Sequence, residues 1–145
     1  KENIRISYLG MEDAWVMAPK PQLIRVFVNL ITNALQAVEM RQKDVEEDGE
    51  APLQGRVVIC LRNSTKDGYY DVVVDDNGSG VKEENIGKLF TPNFTTKSAG
   101  TGLGLAICRN IMEKCGGTIS YKRSFSLGGA SFTVTIPKKE EYEKS

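Results

Sequence analysis

The chain has 145 residues, 40% of them apolar and 26% charged, which is the size and balance of one globular domain. Its 19 basic and 19 acidic residues cancel, so no global field favours nucleic acid or an acidic membrane surface. There is no histidine, which removes Ser–His and Cys–His triads and most catalytic zinc sites. Cys60, Cys108 and Cys115 lack CxxC spacing and read as reduced thiols of a reducing, cytoplasmic compartment. No run approaches the ~20 apolar residues of a membrane span and no signal peptide is visible. The opening KENIRI, without a methionine, reads as a fragment of a longer protein, and residues 1–145 read as a single domain.

Taken in chain order, NIRISY (3–8) alternates as a strand and AWVMA (14–18) reads as a second, short one. Pro19 and Pro21 punctuate, and the chain from Pro21 to Lys43 is predicted as a long helix with Pro21 near its first turn. Residues 42–55 are acidic, carry Gly and Pro and show no apolar period, so they read as an exposed loop. RVVICLRN (56–63) and YYDVVVDD (69–76) are predicted strands, with Lys66-Asp67-Gly68 as the hairpin turn. VKEENIGKLF suggests a short helix, TPNFTTKSAGTG a polar loop, and LGLAICRNIMEKC a second long helix closed by Gly116-Gly117. TISYKRS and ASFTVTI are strands that SLGG joins as a hairpin. Helices alternate with hairpins here. That order predicts an α+β fold, a mixed and mostly antiparallel sheet covered on one face by three helices.

Three clusters could carry chemistry. Asn29, Asn33 and Gln36 share one face of a helix that is otherwise almost wholly apolar. A buried amide costs a few kcal/mol unless it finds partners, and two amides at i, i+4 suit a hard cation such as Mg²⁺, which prefers oxygen ligands. Core amides paired with backbone are the plainer alternative. The second cluster is the strand end DDNGSG, where Asp76 is delivered beside Gly78 and Gly80. As a plain turn these residues need no ligand; as a site, the strand presents a carboxylate where glycines let a ligand approach the main chain. The third is GTGLGL running into a helix, where free N–H groups make an anion site. GxxxxGK[ST] is absent and GxGxG is neither GxGxxG nor preceded by a strand, so P-loop and Rossmann readings are poor.

The four blocks NLITNALQA, DDNGSG, LFTPNF and GTGLGL, in this order, resemble the N, G1, F and G2 boxes of histidine-kinase catalytic domains. These belong to the GHKL superfamily that also holds DNA gyrase B, Hsp90 and MutL. The similarity runs from about Ile4 to Pro137, and TTK-x-x-GTGLGL with NALQA is closest to the nitrogen-regulation type of bacterial sensor kinase. The resemblance implies the two-layer Bergerat ATP-binding fold, with ATP and Mg²⁺ as ligands. It implies that Asp76 hydrogen-bonds the exocyclic amino group of adenine, with Asp75 structural, and that Asn33 is the metal ligand. Asn29 matches the position where gyrase and Hsp90 relatives carry a water-activating glutamate; an amide cannot take that proton, so vigorous hydrolysis is not expected. Asn29, Asn33 and Lys97 take the catalytic roles. The nucleotide would be held by these and by Asp76, Gly78, Gly80, Ile86, Phe90, Thr96, Gly100, Thr101, Gly102, Leu103, Gly104 and Leu105, with Ile86 and Phe90 as the apolar wall.

Two departures bear on affinity. Gln36 stands where many members carry a phosphate-touching cation, and Ala37 where many carry an aromatic against adenine. The implied function is transfer of the γ-phosphate to a histidine on a separate dimerisation domain, followed by a response regulator receiver domain, with no nucleic acid and no membrane contact by this domain. The full-length protein could still be anchored in the inner membrane. A GHKL-type ATPase or serine kinase is the rival enzyme reading, and a non-catalytic nucleotide-sensing module the rival of another class.

Overall fold

The computed structural model describes residues 3–92 and 104–139. The elements are β1 (Ile4–Gly10), α1 (Lys20–Glu47), β2 (Gly55–Asn63), β3 (Tyr69–Asp76), a 3₁₀ segment (Glu83–Lys88), α2 (Gly104–Lys114), β4 (Thr118–Arg123) and β5 (Ala130–Pro137). The strands form one sheet in the order β1-β2-β3-β5-β4. β1 runs parallel to β2, and the other three pairings are antiparallel. This is the mixed, mostly antiparallel sheet that the order of elements predicts.

Three local readings differ. The predicted strand at 14–18 is a lone bridge between Val16 and Lys138, too short to propagate a ladder. α1 continues to Glu47 through residues taken for loop, because Lys43 to Glu47 are charged residues and Val that tolerate helix without needing core. The short helix at 83–88 is 3₁₀, so two α-helices and this segment make up the helical layer. α1 is also long and apolar enough, by length and composition alone, to cross a membrane. Packing accounts for its central stripe.

That stripe is Val26, Leu30, Ala34 and Val38, four residues at i, i+4 spacing and all buried. It meets Val57 of β2, Val74 of β3 and Phe132, Val134 and Ile136 of β5, with Cys108 and Met112 supplied by α2. Each large apolar side chain buried this way contributes about 1.5–3 kcal/mol relative to exposure. Pro21 sits in the first turn of α1, where its missing N–H costs nothing. Alternation along β3 puts Val72, Val74 and Asp76 on the helix side. Asp71 lies on the opposite face, where the Thr135 hydroxyl donates to its Oδ1 at 2.7 Å and Arg62 lies 3.8 Å from its Oδ2.

Both hairpins carry the expected glycines. Gly68 turns β2 into β3 with φ +85°, and Gly128 turns β4 into β5 with φ +91°. The chain therefore brings the end of β3, the side of α1 and the tip of the β4–β5 hairpin to one place.

Candidate functional site

Asp76 is the last residue of β3 and is only 2% exposed. Burying a carboxylate requires hydrogen bonds, and its Oδ1 accepts the Gly78 N–H at 2.8 Å and the Ala130 N–H at 3.2 Å. The Gly129 N–H is donated to its main-chain oxygen at 3.1 Å. Asp75, on the other face, lies across from Val58 and Ser131 and is half-buried. Of the two carboxylates, Asp76 alone faces the helices.

The glycine turn after Asp76 is bound to α1. A Cβ on Gly78 would stand 2.6 Å from the Ala37 carbonyl carbon, closer than real Cβ atoms approach backbone. The Ser79 N–H reaches Ala37 O at 3.3 Å and Arg41 donates to Asn77 O at 2.8 Å. The Asn77 side chain clamps β2: it accepts from Arg56 N at 2.8 Å and donates to Gln54 O at 2.9 Å. Gly80 takes φ +78° and turns the chain back. So Gly78 serves a close approach of loop to helix, and the smallness of Ala37 is part of that packing.

Asn29, Asn33, Ala37 and Arg41 form one i, i+4 row along α1. The Ala37 end of the row meets the glycine turn. At the other end the Asn29 amide donates to Cys108 Sγ on α2 at 3.6 Å. Asn33 lies between, half-buried. Burial pushes the Cys108 thiol above its usual value, and the Asn29 amide and Arg25 pull partly the other way. All three cysteines are free thiols.

Phe90 is half-buried and meets Phe132 edge-on, with centroids 6.3 Å apart. Ile86, expected in the apolar wall, is 41% exposed. Gly104 opens α2, and among the described residues nothing lies within 4 Å of a Cβ built there, while Leu105 packs against the core. Thr96, Lys97, Gly100, Thr101, Gly102 and Leu103 lie outside the described residues.

Two residues of the site were not singled out from sequence. Gly129 lies so close to Asp76 that a Cβ there would collide with Oδ1 and stand 2.5 Å from Asp76 O. Tyr121 of β4 packs on Phe132, with ring centroids 5.3 Å apart. Burial raises its pKa, the Asp76 charge adds to that, and the Val81 N–H opposes it. The doubled glycine of SLGG was the available sign for Gly129. Nothing in the local sequence marks Tyr121.

Among the described residues no group of three or more Cys, Asp or Glu side chains gathers as a metal cluster. The amide oxygen of Asn33 is a hard donor of the kind that Mg²⁺ takes together with oxygens of a ligand and water.

Comparison with known proteins bears on the same residues. Residues 19–140 match the family described as "Histidine kinase-, DNA gyrase B-, and HSP90-like ATPase". Sensor protein FixL of Bradyrhizobium diazoefficiens is 36% identical over 126 residues, covering 87% of this chain and 22% of FixL. Nitrogen regulation protein NtrY of Azorhizobium caulinodans is 34% identical over 125 residues, covering 83% of this chain and 15% of NtrY. The chain therefore spans about a fifth of the length of such relatives. Among solved structures, the nucleotide-free catalytic domain of histidine kinase ThkA superposes with TM-score 0.74 and 33% identity, covering 94% of this chain and 80% of that one.

Proposed function

The chain belongs to the histidine kinase-, DNA gyrase B- and HSP90-like ATPase family, and from that premise we propose that it binds Mg·ATP and presents the γ-phosphate to a histidine on a separate domain. It is an ATP-binding catalytic domain of the sensor histidine kinase kind. The observation that carries the reading of its site is the Asp76 carboxylate, 2% exposed and fixed by two main-chain N–H groups at the end of β3 beside the glycine turn.

In this reading Oδ1 of Asp76 is held by the protein, and Oδ2 accepts the exocyclic amino group of adenine. Asn33 binds Mg²⁺, which neutralises phosphate charge, and Gly104 leaves its helix terminus open to phosphate oxygens. Lys97 and the glycines from Gly100 complete the phosphate site. Phosphoryl transfer of this kind needs mainly positioning and charge neutralisation. The acceptor histidine belongs to a dimerisation domain, because the chain has no histidine of its own. A response regulator receiver domain takes the phosphoryl group afterwards, in the cytoplasm.

Asn29 argues against an ATPase of the gyrase kind. It is an amide, and its nitrogen is engaged by Cys108 Sγ at 3.6 Å, so nothing at this position takes a proton from water. The test is incubation with γ-labelled ATP. The domain alone should form no phosphohistidine and release phosphate slowly; adding a helical, histidine-bearing domain of a sensor kinase should place acid-labile label on that partner. Rapid turnover by the domain alone would overturn the kinase reading.

A further inference from the structure

Arg41 closes the row of α1 that begins at Asn29, and its guanidinium donates to the main-chain oxygen of Asn77 at 2.8 Å. That oxygen belongs to the peptide unit between Asn77 and Gly78. The other end of the same unit, the Gly78 N–H, donates to Asp76 Oδ1 at 2.8 Å. A continuous path therefore runs from a cation on α1, through one peptide group, to the carboxylate at the end of β3. The two bonds lie at opposite ends of one peptide dipole, so each polarises the group in the sense that strengthens the other.

The peptide unit in the middle of this path has little freedom to turn away. Asn77 is 8% exposed, and its N–H is donated to Arg56 O at 3.1 Å. Its side chain accepts from Arg56 N at 2.8 Å and donates to Gln54 O at 2.9 Å, which fixes the residue to β2 and the chain before it. On the α1 side the Ser79 N–H reaches Ala37 O at 3.3 Å, so Arg41 makes the shorter bond between helix and turn. Of the Gly78 and Ala130 amides on Asp76 Oδ1, Gly78 is the closer, at 2.8 Å against 3.2 Å. The orientation of the carboxylate thus depends most on the amide that Arg41 polarises.

We propose that Arg41 is a positioning residue for the base site: through the Asn77–Gly78 peptide it holds Asp76 Oδ1, and so aims Oδ2 at the amino group of a 6-aminopurine. The proposal rests on the reading of Asp76 as acceptor of the base's exocyclic amino group. Arg41 acts through the peptide group and not by contact with the nucleotide. A base that lacks the amino group makes no use of Oδ2 and gains nothing from the alignment.

The experiment is calorimetry on Arg41→Met and Arg41→Lys with two probes, ATP and purine riboside 5′-triphosphate, which lacks the 6-amino group. Met keeps an apolar stem and a good helix former and loses the charged donor. Lys keeps a charged donor, and it can replace the guanidinium because a single nitrogen, Nη1, makes the bond. In Arg41→Met, ATP affinity should fall about two- to tenfold, the worth of one net hydrogen bond, while affinity for the purine riboside triphosphate stays at the wild-type value. Arg41→Lys should recover most of the loss. The Gly78 amide proton resonance should move upfield in the Met variant, as its hydrogen bond weakens, and return in the Lys variant. Equal losses with both nucleotides, no loss with ATP, an unmoved Gly78 resonance, or a Lys variant no better than the Met variant would each overturn the proposal. Asp76→Asn serves as the separate control. If it abolishes the preference for ATP while Arg41→Met leaves that preference intact, the Arg41 proposal alone fails. If Asp76→Asn leaves the preference unchanged, the base-site reading fails and takes the proposal with it.

Discussion

The Asp76 carboxylate and the Ala130 amide, separated by 54 residues in sequence, meet at 3.2 Å. The same oxygen also accepts the Gly78 amide at 2.8 Å. Asp76 therefore has two duties, one toward the fold and one toward the proposed ligand. Asp76→Ala should lose both: two buried N–H groups are orphaned at about 1–3 kcal/mol each, and nucleotide affinity drops about ten- to a hundredfold. Asp76→Asn keeps an acceptor for the two amides, so its thermal midpoint should stay near wild type while ATP binding is still lost. Wild-type ATP binding by the Asn variant would remove the adenine assignment.

Substitutions at three glycines should separate packing from ligand contact. A methyl group at Gly129 collides with Asp76 Oδ1, and one at Gly78 stands 2.6 Å from the Ala37 carbonyl carbon. Gly129→Ala and Gly78→Ala should each destabilise the domain by about 1–3 kcal/mol, as overpacking does. Gly104→Ala meets no described atom within 4 Å and should leave the urea midpoint unchanged while weakening ATP binding. A stable Gly129→Ala variant would contradict the geometry around Asp76.

Asn33 lies between the α2 contact of Asn29 and the glycine turn, on one row of α1. Asn33→Ala should weaken ATP binding about tenfold with Mg²⁺ present and change it little in EDTA, because the lost group ligates the metal and not the base. Parallel titrations decide it: equal losses under both conditions would rule out the metal role.

Stability should decline at alkaline pH for an identifiable reason. Cys108 and Tyr121 both have folded-state pKa values raised, in each case chiefly by burial. Each becomes an anion on losing its proton, and the folded state holds that proton to higher pH than the unfolded chain does. The contribution is complete below the unfolded values, about 8.5 for a thiol and 10 for a phenol. It is lost as pH rises through the raised folded values. For Cys108 the slope is at most about 1.4 kcal/mol per pH unit. Urea midpoints measured between pH 8 and 11 should fall, and the fall should be shallower in Cys108→Ala whatever that variant's starting stability.

What sequence could reveal followed the range of the interactions. Tyr69–Asp76 was legible to the residue because β-branched Val72, Val73 and Val74 and a Lys-Asp-Gly turn set it locally. Asn29, Asn33 and Asp76 stood out as polar residues in apolar surroundings, and the family boxes gave them roles. The end of α1 was missed because Lys43 to Glu47 lack an apolar period yet are held by backbone bonds such as Asp48 N–H to Asp44 O at 3.0 Å. Gly129 and Tyr121 were hidden because their importance arises from the pairing of β5 with β3 and β4, which no local window contains.

That pairing has a consequence for when the domain can work. The bonds that Gly129 and Ala130 make to Asp76 come from the hairpin formed by β4 and β5, the last strands of the sheet to be made. Contacts of such sequence separation are slow to form, because loop-closure entropy is lost before they contribute. During synthesis the strand bearing the carboxylate therefore exists well before the carboxylate has its place. Nucleotide then acts as a reporter of completion: a nascent or truncated chain ending before Thr118 would carry all four boxes and both long helices and still be blind to ATP.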